Sequence, residues 1–583
     1  METTKIKDVR LSTDILIIGG GSAGLWAADR AKEIAPELDV LVVDKGPRDW
    51  GGLMSMSGGD FDVILPGENI DDWVEDLVYY YDGLCDQELV EALLSQSYDR
   101  MKDYERLGCH FFKKEDGSYK GIPQRGLPHV KLYPAQYKGK GGEDMAKNLI
   151  REVKERGVRR MGRVLITELL KDGDRVTGAI GFDSRSGDFL IIEARAVIIA
   201  TGWTGWKTSY GKNTTTGEGA ELAFKAGCKL SNFEFGRVWN VPKLFGWEGQ
   251  TALFPLGAKV VNGKGEPLMD PYSPVLGANT DPKFTTLAMA CEHRKGNGPF
   301  YLDISAVNPD DMVLLKPQDG WQKLNYDKLR DLGIDMFKEN TEWIPQLTCG
   351  FGGIEADLDG YTGVPGLYAA GTARSLDPGV YMGGFALETT ASGGYRTGET
   401  IAKLLQNQPA EKAPLDEALI AEKKEALYAQ MGDDGLAPHD VLRAIQEVLF
   451  PYEVSIIKSE RSLTDALEKL QTIQREQLPQ MKAKDPHYLL KLIEVQGIAF
   501  ISELYLRSSL ERKESRAGHF REDYPTRNNE DFLAWLVVEQ NGEGGFRYHK
   551  KPVPVERYKH PIEKYYSDNF TFSKIFAEKL EQE

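Results

Sequence analysis

A glycine turn between two short apolar runs, near the start of the chain, narrows the fold at once. Residues 14–18, Asp-Ile-Leu-Ile-Ile, lead into Gly19-Gly20-Gly21-Ser22-Ala23-Gly24; Leu25 to Ile34 is an Ala-rich helical stretch, and a second apolar run, Val40 to Val43, ends in Asp44. Strand, glycine turn, helix, strand and acid in this order predict a dinucleotide-binding unit. Gly19 makes the tight turn, Gly21 lets backbone approach a pyrophosphate, and Gly24 packs helix against strand with the helix N-terminus facing the phosphates. Asp44 lies 20 residues beyond Gly24, the spacing for a ribose hydroxyl.

At 583 residues the chain is long enough for two to four domains. Its net charge of −17 argues against nucleic acid or anionic lipid as a partner, so an anionic substrate needs a local basic pocket. Five scattered cysteines form no C-x-x-C pair, which gives no readable disulfide framework, zinc site or iron–sulfur cluster and points to a reducing, cytoplasmic setting. No apolar run approaches the length of a membrane span, so any membrane association is expected to come through a partner.

Further along, Val164 to Leu170 and Val176 to Phe182 read as hairpin strands, and Ala196 to Ala200 as a buried strand stopping at Thr201-Gly202. Thr216-Gly217-Glu218-Gly219 opens an amphipathic helix to Ala226, and Gly366 to Gly371 gives one more strand and turn before a small-residue helix. These stretches are expected to converge on one ligand. The fold class is therefore α/β: a Rossmann-type FAD-binding domain in two parts (1–233 and 344–407), an inserted α+β capping domain (234–343) that is aromatic and loop-rich, a C-terminal helical bundle (408–511) and an irregular Tyr- and Lys-rich tail (512–583).

With these segments placed, the chain resembles the flavoprotein family of succinate dehydrogenase, fumarate reductase, L-aspartate oxidase and the adenylylsulfate reductase alpha subunit. The likeness is carried by Gly19 to Gly24, Ser57-Gly58-Gly59, Ala200-Thr201-Gly202, Thr216 to Gly219, Gly366 to Gly371 and the stretch Arg516 to Pro525. It implies FAD along Gly19, Gly21, Ser22, Ala23 and Gly24, with Asp44 and Lys45 at the adenosine ribose. Gly52, Ser57, Gly58, Gly59, Ala200, Thr201, Gly202, Glu218, Gly371, Thr372, Ala386 and Leu387 are implied to line the pyrophosphate and flavin ring. It further implies a separate iron–sulfur or ferredoxin-like electron partner and a setting in anaerobic metabolism.

The departures from the family pattern are as informative. Where covalently flavinylated members carry a histidine, this chain reads Trp50-Gly51-Gly52-Leu53-Met54, which implies noncovalent FAD. The segments that hold dicarboxylates elsewhere read Phe235-Gly236-Arg237-Val238, Asp281-Pro282-Lys283-Phe284, Leu347 to Gly353 and Tyr381-Met382-Gly383-Gly384. A dicarboxylate buried without its cationic partners costs several kcal/mol, so the expected substrate is neither fumarate nor succinate but an enoate or oxyanion. In texture the chain is nearest adenylylsulfate reductase.

Three catalytic candidates remain. Arg237 is an anion-binding residue or an inter-domain arginine. Tyr381 is a proton donor or an aromatic wall. Lys283 stands in for the missing proton-donor arginine or does not. Cys349 reads as a buried small hydrophobe more than a thiol nucleophile, and His519 as structural; Trp206, Tyr210 and Trp239 form a pocket or fill the cap. A flavin relay subunit with no small substrate and an L-aspartate-oxidase-like enzyme are the alternative functions.

Overall fold

The computed structural model describes residues 6–135, 141–208, 214–244, 250–308, 323–376, 382–408, 412–542 and 544–582. Its centre is a seven-stranded sheet. Strands Val40–Asp44, Asp8–Ile18 and Phe189–Ile199 lie parallel and side by side, with Ile15 to Ile18 facing Val40 to Val43 on one side and Ala196 to Ile199 on the other. The far edge of Phe189–Ile199 is shared: its first half pairs antiparallel with Arg175–Asp183, its second half parallel with Leu367–Ala369. Strands buried on both faces need continuous apolar runs, which is what Ile-Leu-Ile-Ile, Val-Leu-Val-Val and Ala-Val-Ile-Ile supply.

Two helices cover one face. Ser22–Ile34 packs against the 22-residue helix Phe385–Gln406 so closely that a Cβ at Gly394 would sit 2.3 Å from the Ala23 carbonyl oxygen, and one at Gly398 would sit 2.3 Å from that of Ala27. The small-residue run in the second helix therefore joins the two distant parts of the nucleotide-binding domain.

A second sheet of five strands is built by Lys259–Asn262, Phe300–Asp303, Thr341–Gly350, Gly236–Pro242 and Thr204–Gly205. Most of it comes from the segment expected as a cap, but it begins at Thr204 and ends at Gly350. Helices Glu417–Tyr428, Pro438–Leu449, Glu460–Glu476 and Pro486–Glu511 form the C-terminal helical part. The tail is more ordered than its composition indicates: Ala534–Gln540 and Phe546–Pro552 form a hairpin that joins Leu230–Ser231 and Gly353–Ile354 in a four-stranded sheet. The apolar Ala-Trp-Leu-Val-Val run buries against the first half of the chain, which overrides the polar texture around it.

Candidate functional site

A cavity of ≈ 330 Å³ opens where the parallel strands end. The turn after Asp8–Ile18 contributes Gly19, Gly21, Ser22 and Ala23, and the end of the second strand Asp44 and Lys45. Other lining residues are Gly52, Ser57, Gly58, Ala200, Thr201, Gly202, Glu218, Thr372, Ala386 and Leu387. Three of the expected cofactor residues, Gly24, Gly59 and Gly371, lie behind the lining. Gly24 is a packing glycine, since a Cβ there would fall 2.0 Å from the Gly19 carbonyl oxygen. Gly21 differs: an added Cβ would meet nothing nearer than the Gly52 Cα at 3.9 Å, so the space in front of it is open.

This lining fits a dinucleotide. The helix Ser22–Ile34 starts at Gly21 with no side-chain cap and no acid in its first turn, leaving its amide N–H groups and positive end for an anion. Asp44 accepts hydrogen bonds from the amides of Gly20 and Gly46, both at 2.6 Å, and so holds the turn in shape. Burial lifts its pKa, and those two amides pull it back. Thr215 Oγ1 and Glu218 Oε2, both in the lining, are buried polar atoms without a protein partner.

Lys45 has a further task. Its ammonium contacts Thr216, Glu218 and, at 3.1 Å, Glu494 of the C-terminal helix Pro486–Glu511. Burial alone would lower the Lys45 pKa, but Glu218 and Glu494 hold it above its ordinary value. Burial would likewise raise Glu494, yet Lys45, Lys207 and Lys491 keep it down at about 2. The Asp44–Lys45 end of the cavity is thus tied to the helical part of the chain.

A different wall faces the same cavity: Arg125, Trp203, Arg237 and Trp239. Arg237 and Trp239 are two apart on strand Gly236–Pro242 and share a face, with a register shift between Arg237 and Val238. The Arg237 guanidinium lies 4.4 Å from the Trp239 ring centre and 5.6 Å from that of Trp203; Arg125 lies 5.1 Å from Trp239. Each contact is within cation–π range. Arg125 is fixed by Asp281 at 3.0 Å, and Asp281 also receives the Tyr80 hydroxyl at 2.5 Å.

The other catalytic candidates fare differently. Lys283 is not in the lining; it follows the N-cap Asp281, whose carboxylate accepts its amide, and burial pulls its ammonium down to about 7 against the charges of Asp82 and Asp281. Tyr381 and Tyr210 lie outside the described residues. Trp206 points away, bonding Ser502 and packing on Tyr505. Cys349 is buried among Trp203, Phe235 and Phe351, and His519 bridges Lys458 and the Arg512 carbonyl. Arg125 and Trp203 escaped the sequence reading. Arg125 sits outside every glycine motif, and the only sequence signal for Trp203 was its place directly after Ala200-Thr201-Gly202.

Comparison with known proteins decides the family. A profile described as "FAD binding domain" matches residues 14–387, and one described as "Fumarate reductase flavoprotein C-term" matches 444–566. The chain belongs to the succinate dehydrogenase/fumarate reductase flavoprotein family. It is an FAD-dependent oxidoreductase of that family. The fumarate reductase flavoprotein subunit of Mycobacterium tuberculosis (strain H37Rv) is 29% identical over 94% of this chain and 98% of its own length. A solved quinol fumarate reductase of E. coli superposes with a TM-score of 0.84 at 22% identity, covering 96% of this chain and 99% of that one. Adenylylsulfate reductase of Archaeoglobus fulgidus does so at 0.79 and 21%, covering 95% and 98%.

Proposed function

We propose that this flavoprotein exchanges electrons with a singly charged enoate or oxyanion held against the Arg125/Trp203/Arg237/Trp239 wall. The observation that carries the reading is the make-up of that wall in the cavity proposed for FAD: two guanidiniums, Arg125 held by Asp281 at 3.0 Å and Arg237 4.4 Å from the Trp239 ring centre, set against the two indoles. A second carboxylate would have to be held from Asp281-Pro282-Lys283-Phe284 or Leu347 to Gly352, none of which is among the described lining residues, and leaving it unpaired costs several kcal/mol. Trp203 and Trp239 add flat, apolar surface for the rest of the molecule. FAD, when bound, supplies the hydride chemistry. Arg125 and Arg237 then orient the anion, Asp281 holds Arg125 in place, and the two indoles exclude water.

We also infer that FAD is held noncovalently, since no histidine is among the described residues lining the cavity. Electrons come from a separate iron–sulfur or ferredoxin-like protein: all five cysteines are buried outside any disulfide, and no metal-binding cluster occurs among the described residues. No described helix is long and apolar enough to cross a membrane, so any membrane attachment in a cytoplasmic setting runs through that partner.

The test is an anaerobic titration of FAD-loaded protein with reduced viologen, followed by fumarate, adenylylsulfate and a panel of monocarboxylic enoates. Reoxidation by a monoanionic acceptor and silence with fumarate is the expected outcome. Reoxidation by fumarate alone contradicts it, and silence with everything but a ferredoxin makes the chain an electron relay instead.

A further inference from the structure

On another part of the cavity wall three carboxyl groups come together with no ion pair to a cation among the described residues. Strand Asp60–Asp62 places Asp60 and Asp62 on one face, because successive side chains alternate. Asp60 lines the FAD cavity; Asp62 is fully buried against Gly384, where an added Cβ would lie 2.2 Å from Asp62 Oδ1. Gly384 caps the helix Phe385–Gln406, whose first turn carries Glu388, also fully buried. Ala386 and Leu387 of the same turn line the cavity.

In each carboxyl one oxygen has no hydrogen-bond partner: Asp60 Oδ1, Asp62 Oδ2 and Glu388 Oε2. The remaining contacts are few, Ser392 Oγ to Glu388 at 2.6 Å and Gln124 Nε2 to Asp62 at 3.5 Å. The two guanidiniums whose fields reach the cluster are committed elsewhere, Arg125 to Asp281 at 3.0 Å and Arg100 to Asp103 at 2.6 Å. Tyr133, on the strand paired with Asp60–Asp62, is the other titratable neighbour, and the field of Asp62 contributes to its raised pKa. Three ionised carboxyls cannot coexist in so dry a space; they keep protons instead. Burial lifts Asp60 to about 7 and Glu388 to about 8, and Asp62 is pushed well up by burial and by both neighbours.

We propose that Asp60, Asp62 and Glu388 are the proton store of the flavin site: Asp60 presents a carboxylic O–H to the bound cofactor, and Asp62 and Glu388 behind it replace the proton it gives up. With FAD bound and reduced by the external donor, Asp60 would give up its carboxylic proton, its O–H bond breaking as that proton passes to the cofactor. The Asp60 carboxylate so left is reprotonated from Asp62 or Glu388, and they in turn from solvent. The proposal rests on FAD occupying the cavity and is independent of which substrate follows.

The test is redox potentiometry of the FAD-loaded protein from about pH 5 to about pH 9, which brackets ordinary and raised carboxyl values, with dithionite as reductant. Wild type, Asp60→Asn and Glu388→Gln are compared, together with reduced-minus-oxidised infrared spectra. The potential of the wild type is expected to change slope near neutral pH, and its difference spectrum to show a protonated-carboxyl C=O band. Asp60→Asn removes both; Glu388→Gln, which does not touch the cavity, moves the break to another pH. Should Asp60→Asn fail to hold FAD, the Glu388→Gln curve decides. Superimposable curves for wild type and every variant that holds FAD, with no carboxyl band in the wild type, overturn the proposal.

Discussion

Arg237 and Glu388 show how differently two buried charges-to-be behave. The Arg237 guanidinium lies 4.4 Å from the Trp239 ring centre and lines the cavity. Replacing it with Gln removes a charged contact worth about 1.5–3 kcal/mol, so KM for an anionic acceptor should rise about ten- to a hundredfold while FAD content is kept. An unchanged KM would take Arg237 out of the substrate wall. Glu388 loses its proton only at about 8 in the folded protein, whereas the unfolded chain gives it up near the ordinary glutamate value. Across that window the folded state binds more protons, so stability falls as pH rises. Glu388→Gln removes this fall: thermal unfolding curves should match wild type at about pH 5 and exceed it at about pH 9; parallel profiles would contradict the assignment. Arg237 was readable because it stood where the family pattern is broken. Asp60 and Asp62 were not, since nothing in a sequence distinguishes a surface aspartate from one that folding leaves without water or cation.

Elements were the most legible level, because glycine turns between apolar strands leave few alternatives. Helix Ser22–Ile34 sits where the glycines put it, and strands Asp8–Ile18 and Phe189–Ile199 end at the expected turns but begin well before the apolar runs 14–18 and Ala196 to Ala200 that marked them. Two glycines of one turn make a paired prediction. Gly21 has φ −82°, an ordinary conformation, and open space in front of it, so Gly21→Val should fold and lose FAD. Gly24→Ala would drive a methyl into the Gly19 carbonyl and should lower soluble yield and Tm before binding is tested. Flavin absorbance after gel filtration, with circular dichroism melts, separates the two; a Gly21→Val protein that retains FAD would sink the phosphate-cradle reading. The hairpin Ala534–Gln540/Phe546–Pro552 was missed because its partner strand, Leu230–Ser231, lies about 300 residues earlier in the chain, and only tertiary pairing turns that run into a sheet.

At the scale of the whole molecule, the helical part and the nucleotide-binding part meet in one buried charge network. Glu494 of helix Pro486–Glu511 is 2% exposed and reaches Lys45 at 3.1 Å and Lys207, both on the FAD side. Glu494→Gln takes the carboxylate from Lys207 and leaves Lys45 with Glu218 alone, which should cost about 3–5 kcal/mol and loosen FAD, seen as a lower Tm and a weaker Kd. In wild type this contribution is present above the ordinary glutamate value and is lost as pH falls toward about 2. None of this coupling is visible in the chain order, where Lys45 and Glu494 are 449 residues apart. The account as a whole rests on a cavity that takes FAD and one negative charge beside it. Spectral titration of the bound flavin with crotonate-like monoanions and with fumarate, in wild type and Arg237→Gln, tests this most directly. The account predicts a flavin band shift saturating at lower monoanion than fumarate concentration, weakened at least about tenfold in Arg237→Gln. Tighter binding of fumarate, or a shift indifferent to Arg237, would contradict it.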